Sequence, residues 1–147
     1  MTVSIKKLTA LAKKMRDNAY CPYSNHPVGA VIVTDKGKVF SGANSETAHY
    51  RGICAEGSAI SAMTSSGARK IKTLVVIGPK DGKLLCTPCG DCRQRIREFA
   101  DDETVIYSLW PDGRIGAAHT IDDLLPMSFG PENVLKPAKK KKAVRKK

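Results

Sequence analysis

The chain has 147 residues, of which 41% are hydrophobic, and this length suits one globular domain with a single core. The longest apolar runs are far too short to cross a bilayer and the N-terminus lacks the apolar segment of a signal peptide, so we expect a cytoplasmic protein with no membrane role. The five cysteines cannot all pair within the chain, and in a reducing compartment clustered cysteines are more often metal ligands than disulfides.

The net charge of +11 is concentrated at the C-terminus. Residues 136–147 hold eight basic residues and no acid, so subtracting them from +11 leaves +3 for residues 1–135. We predict one folded domain over residues 1–135 and a disordered, lysine-rich tail over residues 136–147. The tail could bind nucleic acid through phosphates, but no aromatic residue interleaves its lysines, which favours a solubilising end.

Hydrophobic periodicity and turn residues predict an alternation of helices and strands. The predicted helices span residues 4–18, 54–63, 92–99 and 121–125, and the predicted strands span residues 28–34, 39–44, 73–78, 104–110 and 114–119. The run 73–78 is continuously apolar, which is typical of a central strand, whereas 114–119 is predicted as a short edge strand. Helices that follow strands on a mixed sheet indicate a layered α/β domain.

Two cysteines three residues apart lie where a helix is predicted to begin after Pro88. Cys89 and Cys92 would share one helix face, so their thiolates could hold one side of a tetrahedral zinc ion. The partial positive charge of a helix start is expected to lower their pKa and favour the thiolate form. A Cys-x-x-Cys pair alone also suits a redox couple or two buried thiols.

A third ligand is offered by Cys54 in the run Cys54-Ala55-Glu56. Three protein ligands leave a fourth position for water, as in a catalytic zinc site, and zinc lowers the pKa of that water to about 7. Glu56 is placed to carry protons, a role worth roughly 10² to 10⁴ in rate. Cys86 precedes Pro88 and is interpreted as a bystander.

The run Cys-Ala-Glu at 54–56, followed by Pro-Cys-Gly-Asp-Cys at 88–92, resembles the zinc-dependent cytidine deaminases of the short, homotetrameric class. The resemblance covers nearly the whole chain before the tail. It implies a three-layer α/β/α fold with a mixed, mostly five-stranded sheet and Zn²⁺ on Cys54, Cys89 and Cys92. The implied reaction is hydrolysis of cytidine or deoxycytidine to uridine or deoxyuridine plus ammonia, a step of pyrimidine salvage, in which Glu56 carries protons to N3 and to the leaving ammonia.

The same resemblance assigns substrate contacts and an assembly. It places Asn44 and Glu46 at the ribose hydroxyls and His26 and Ala55 at the base. It also implies a homotetramer with shared active sites, in which Phe129 reaches the cavity of a neighbouring subunit. From the residues alone, Asn44 and Glu46 are more typical of loop capping and solvation.

Three departures from the family pattern bear on the substrate more than on the reaction. Gly57 stands where the family usually has an arginine that hydrogen-bonds a thiolate sulfur, and without that cation three thiolates should make the bound water less acidic. Arg93 is the candidate to offset this loss from outside the ligand set. His26 replaces an expected aromatic ring, and the loop from Asn44 to Cys54 is one residue short.

These departures leave alternative functions open. The substrate could be a related aminopyrimidine base, a modified cytosine nucleoside or a nucleoside antibiotic such as blasticidin S. A different class of protein, a zinc-stabilised module that binds nucleic acid through its lysine tail, also fits the composition.

Overall fold

A computed structural model describes residues 3–135, so the tail predicted to be disordered lies outside the described residues. The helices are α1 Ile5–Asp17, α2 Ala55–Ser65, α3 Gly90–Arg97 and α4 Ile121–Leu124, and the strands are β1 Gly29–Thr34, β2 Val39–Ala43, β3 Ile71–Ile77, β4 Val105–Leu109 and β5 Ile115–His119. The segment 127–135, predicted to be irregular, contains a short 3-10 helix over Pro131–Asn133. No helix within residues 3–135 is long and apolar enough to cross a membrane.

The five strands form one mixed sheet in the order β2-β1-β3-β4-β5. The β3–β4 pair is parallel and the other three pairs are antiparallel. The continuous apolar run occupies the middle of the sheet as β3, and β5 lies at an edge, as the sequence predicts. The chain therefore has the five-stranded mixed sheet expected of it.

Strand β1 shows why helices cover both faces of this sheet. All of its residues are buried, and successive side chains alternate between the two faces. Ala30 and Ile32 join the core beneath α2, α3 and α4, whereas Val31 and Val33 join the core beneath α1. A strand that buries both faces needs an apolar layer on each side, so the three-layer α/β/α prediction is confirmed.

A glycine on β2 allows helix α2 to lie directly on the sheet. A Cβ atom at Gly42 would stand 2.5 Å from both the carbonyl oxygen of Ala55 and the backbone nitrogen of Ala59. No side chain fits in that gap, and the buried face of α2 is made largely of small residues such as Ala55 and Ala59. This close approach sets the position of the N-terminus of α2, where Cys54 lies.

Candidate metal centre

Three cysteine sulfurs meet where two helices begin. Cys54 is the N-cap residue of α2, Cys89 is the N-cap residue of α3, and Cys92 lies in the first turn of α3. Their Sγ atoms all lie within 4.8 Å of one another, and those of Cys54 and Cys89 are 3.8 Å apart. Residues 35 positions apart are brought together because α2 and α3 pack side by side on the same face of the sheet.

The spacing and chemistry of this donor set fit a zinc ion. Zinc–sulfur bonds of about 2.3 Å at tetrahedral angles put the sulfurs roughly 3.8 Å apart. The Cys54–Cys89 sulfur separation equals that value, and all five cysteines are free thiols rather than disulfides. A third sulfur beside the Cys-x-x-Cys pair also favours metal binding over a simple redox couple.

The protonation of the thiols differs from the sequence expectation. Burial, followed by the neighbouring Cys89, raises the pKa of Cys54 to about 11. Burial also raises the pKa of Cys92 well above its ordinary value. The predicted lowering by the helix start is therefore wrong for Cys92, because desolvation outweighs the helix dipole. A bound divalent cation would favour the thiolates instead, with release of protons.

Glu56 is buried next to the sulfurs, with only 3% of its surface exposed. The thiol of Cys92 donates a hydrogen bond to Oε2 of Glu56 over 3.4 Å. Burial raises the pKa of the Glu56 carboxyl. A desolvated carboxyl beside a metal site exchanges protons nearer neutral pH than an exposed one does, which suits an acid–base role.

A cavity of about 360 Å³ opens in front of the sulfurs. Its lining includes all of the residues that the resemblance assigned to base, sugar and proton transfer, apart from Phe129: His26, Asn44, Ala55, Glu46 and Glu56. Cys54 and Cys89 also line it. The cavity therefore gives a small molecule access to the metal centre.

A second cavity of about 390 Å³ adjoins the first and shares Asn44, Glu46 and Cys54 with it. Tyr23 and Tyr50 line this second space, with ring centroids 5.6 Å apart. Neither tyrosine is predicted from the sequence to have a role, since an aromatic residue in a polar loop carries no periodic signal.

Asn44 and Glu46 both brace the loop that leads into β1. Oδ1 of Asn44 accepts a hydrogen bond from the backbone nitrogen of Val28 over 2.7 Å, and its Nδ2 donates to the carbonyl of His26 over 3.0 Å. Oε2 of Glu46 accepts from the backbone nitrogens of Tyr23 and Ser24 over 3.0 and 3.1 Å. These are the contacts that the loop-capping alternative expects. The sugar-binding roles of Asn44 and Glu46 stay predictions, and they would use the hydrogen-bonding capacity that the loop contacts leave unused.

Cys86 lines the first cavity, but its sulfur lies outside the three-sulfur cluster. It packs against Gly78, where an added Cβ would stand 2.7 Å from the Cβ of Cys86. Burial raises the pKa of the Cys86 thiol to about 11. This placement supports its interpretation as a bystander.

Arg93 directs its guanidinium to oxygen atoms. Nε donates to the carbonyl of Pro88 over 2.7 Å, and Nη1 donates to the carbonyl of Leu124 over 2.8 Å. Nη2 approaches Oγ1 of Thr87 at 3.4 Å. Arg93 therefore holds the loop that carries Cys89 and ties it to α4, while its predicted effect on thiolate charge stays a prediction.

Phe129 is absent from the lining of both cavities and 62% of its surface is exposed. Its backbone is anchored because Gln94 donates a side-chain hydrogen bond to the Phe129 carbonyl over 2.9 Å, and Nε of Arg97 donates to Oγ of Ser128 over 2.8 Å. The ring is thus exposed on a tethered segment and does not line either cavity of its own chain.

The sequence of this chain is similar to sequences of known deaminases. Residues 2–108 match the family model of the cytidine and deoxycytidylate deaminase zinc-binding region. The cytidine deaminase of Sporosarcina psychrophila is 37% identical over 133 residues, which is 90% of this chain and 96% of the relative. A probable cytidine deaminase of Dictyostelium discoideum is 36% identical over 132 residues, covering 89% and 87% of the two chains.

Solved structures agree with the sequence relatives. The crystal structure of cytidine deaminase from Burkholderia pseudomallei superposes with a TM-score of 0.79 at 35% identity, covering 86% of this chain and all of the other. The cytidine deaminase of Mycobacterium tuberculosis superposes with a TM-score of 0.74 at 32% identity, covering 87% of this chain and 98% of the other.

Proposed function

The chain belongs to the cytidine and deoxycytidylate deaminase family and is a zinc-dependent hydrolytic deaminase, and we propose that its substrate is cytidine or deoxycytidine. The products would be uridine or deoxyuridine and ammonia. The observation that carries the proposal is the cluster of three cysteine sulfurs, with the buried carboxyl of Glu56 beside it, at the end of a cavity of small-molecule size.

The charges around the cavities favour a nucleoside over a nucleotide. Glu46 and Glu56 line the two cavities, and among the described lining residues there is no lysine or arginine. The carboxyl pKa of Glu46 is lowered, chiefly by a hydrogen bond from Ser24, so that Glu46 is anionic at neutral pH. A 5′-phosphate would meet this negative charge without a cation to pair with it. A neutral nucleoside suits the site better.

The proposed mechanism assigns each side chain one task. Cys54, Cys89 and Cys92 would hold the zinc ion, which supplies an activated water when bound. Glu56 takes a proton from the attacking water and delivers it to N3 of the pyrimidine, and it then moves the remaining proton of the new C4 hydroxyl to the amino group, which departs as ammonia. Attack at C4 adds one water and removes one ammonia, so cytidine becomes uridine with no other reactant.

Substrate recognition would come from the loops in front of the sulfurs. His26 and Ala55 are proposed to contact the base, because both line the cavity next to Glu56. Asn44 and Glu46 are proposed to bind the ribose hydroxyls, since both lie where the two cavities meet. A diol that both donates and accepts hydrogen bonds matches an amide beside a carboxylate.

We further propose a homotetramer in which the catalytic domain spans residues 1–135. Phe129 and the fully exposed Met127 project from a segment held by polar contacts, which fits a role in a neighbour's cavity. The five free thiols fit the cytoplasm. Sedimentation should show that the active species is an oligomer, and a fully active monomer would contradict this part of the proposal.

A substrate panel tests the function directly. Ultraviolet absorbance and ammonia release should be followed with cytidine, deoxycytidine, deoxycytidylate, free cytosine and blasticidin S. We expect turnover of the two nucleosides, while Glu56→Ala should abolish turnover with zinc content still near one per chain. Activity on free cytosine or blasticidin S but not on nucleosides would replace the proposed substrate.

The same preparation tests the non-enzymatic alternative. If the protein released no ammonia from any of these compounds but bound RNA or DNA with a steep salt dependence, a nucleic-acid-binding module would be the better description.

A further inference from the structure

The side chain of an arginine on α3 passes close to a glycine on α2, next to Ile53. Arg95 follows the ligand Cys92 by three residues and Gly57 follows the ligand Cys54 by three, so each shares a helix face with a ligand. A Cβ atom at Gly57 would stand 3.8 Å from Cδ of Arg95. The arginine side chain therefore passes beside α2 at the side of the helices that carries the sulfurs.

Arg95 lies one helical turn after the ligand Cys92 and pairs with Asp91, four residues earlier on α3. Its hydrogen bond to Asp91, followed by the charge of that residue, raises the pKa of Arg95, so Arg95 is a cation at neutral pH. Nε of Arg95 donates to Oδ2 of Asp91 over 2.9 Å. A cation at this position would stabilise the thiolate form of the ligands when a metal ion is bound.

Arg95 also has hydrogen-bonding capacity that Arg93 lacks. All three donor atoms of Arg93 face oxygen atoms. In the part of the chain that the structure describes, Arg95 uses only Nε, and its two Nη groups make no hydrogen bond. Of the two arginines in α3 nearest the ligands, Arg95 is therefore the one whose Nη groups have no oxygen partner among residues 3–135.

We propose that Arg95 is a positioning residue that balances the charge of the three thiolates from a position beside Gly57. Three thiolates exceed the charge of a divalent ion by one, and a neighbouring cation offsets that excess. The proposal rests on the ligand set in the proposed function. Because the Arg95 side chain is 52% exposed, water screens its charge, and we expect an effect at the lower end of the 10- to 100-fold range typical of groups around a metal's ligands.

Zinc affinity tests this role without relying on turnover. Competition with a chromophoric chelator should show that Arg95→Gln binds zinc about tenfold more weakly than the wild type, whereas Arg95→Lys retains most of the affinity. The thiolate-to-metal charge-transfer band of the Co²⁺-substituted protein should shift in Arg95→Gln. Arg114→Gln is the matched control, because Nε of Arg114 also pairs with an aspartate, Asp112, over 2.6 Å in the turn between β4 and β5.

A relocated cation gives a second, independent test. Arg95→Ala makes room beside α2, and Gly57→Arg in that background should recover the zinc affinity that Arg95→Ala alone loses. An added Cβ at Gly57 would meet mainly the flexible side chain of Ile53, at 3.1 Å. Recovery would support a role for charge rather than for the shape of Arg95.

Two results would overturn the proposal. One is a zinc affinity of Arg95→Gln within about twofold of the wild-type affinity, because such a change is far smaller than the loss expected on removing a group that contacts a metal's ligands. The other is equal weakening in Arg95→Lys together with a lower melting temperature of the metal-free protein, which would show a purely structural role. Failure of the wild type to bind one zinc per chain would instead contradict the proposed ligand set, so the two failures are distinguishable.

Discussion

The metal centre and the recognition loops in front of it are built in different ways. The metal centre takes its ligands from helix starts, and Glu56 and Cys92 are buried in it. The recognition loops, defined here as residues 20–28 and 44–53, consist of irregular backbone with exposed side chains such as His26 and Tyr50. The same cavity thus has one wall made of regular structure and one made of loops.

This difference suggests how reaction and specificity are separated in the chain. A ligand at a helix cap is positioned by the whole helix, and α2 is itself seated against Gly42 on the sheet. A side chain in the loops is positioned by a few polar contacts, such as those made by Asn44 and Glu46. Loops tolerate change better than packed helices do. The departures from the family pattern at His26 and in the loop after Asn44 lie on the loop side.

The largest expected effect comes from removing a sulfur of the metal centre. Cys89→Ala should lower the zinc content from near one per chain to near zero and reduce deaminase activity to background, because two sulfurs cannot complete the site. Cys86→Ala is the matched control, since this cysteine lines the same cavity but lies outside the cluster. Metal analysis measures the zinc content and ammonia release measures the activity. Loss of zinc in Cys86→Ala would show that Cys86 also belongs to the metal centre.

A smaller effect is expected from removing the hydrogen bonds that hold the recognition loops. Asn44→Ala removes two hydrogen bonds and leaves the backbone nitrogen of Val28 without its acceptor. We expect a loss of about 1–3 kcal/mol in the free energy of unfolding, together with a higher KM. Urea denaturation and steady-state kinetics measure the two changes. Asn18→Ala, at the end of α1, provides a comparison at a residue away from the cavities, and equal losses in both variants would argue against a bracing role for Asn44.

Restoring an aromatic ring should act on affinity alone. His26→Phe places an apolar ring in the cavity, and stacking worth about 0.5–1.5 kcal/mol predicts a roughly two- to thirteenfold lower KM for cytidine. The value of kcat should change little, because the proton carrier Glu56 and the sulfurs are untouched. An unchanged KM with a reduced kcat would place His26 in the chemistry instead of in recognition.

The smallest expected effect is a pH dependence of stability in the loops. The hydrogen bond from Ser24 is the main reason that the pKa of Glu46 is lowered in the folded protein. A lowered folded-state pKa contributes stability above the unfolded value near 4.5, and this contribution is lost as the pH falls through the folded-state value. Ser24→Ala should therefore lower the melting temperature more at pH 7 than in strong acid, where only the loss of the hydrogen bond from the His26 backbone nitrogen to Oγ of Ser24 remains. A difference of equal size at both pH values, or one that Ser61→Ala on α2 reproduces, would contradict this account.

Short-range patterns predicted much of this architecture. The apolar run at 73–78 became the central strand and the weak run at 114–119 became the edge strand, because continuous hydrophobicity reports burial on both faces. The 3-10 helix at Pro131–Asn133 was missed because a single turn carries no periodicity. The pKa of Cys92 was also predicted in the wrong direction, since burial depends on neighbours that are distant in sequence.

The sequence by itself determined the ligand types, their spacing along each helix and the acid beside them, because cysteine and glutamate chemistry is local to a few residues. Only the tertiary structure decided that Cys54 meets Cys89, that Asn44 and Glu46 are already bonded to the loop before β1, and that Arg95 rather than Arg93 faces the space beside Gly57. These facts depend on how helices pack across a sheet. Side chains far apart in sequence become neighbours only when burial of the apolar faces sets the distance between the elements.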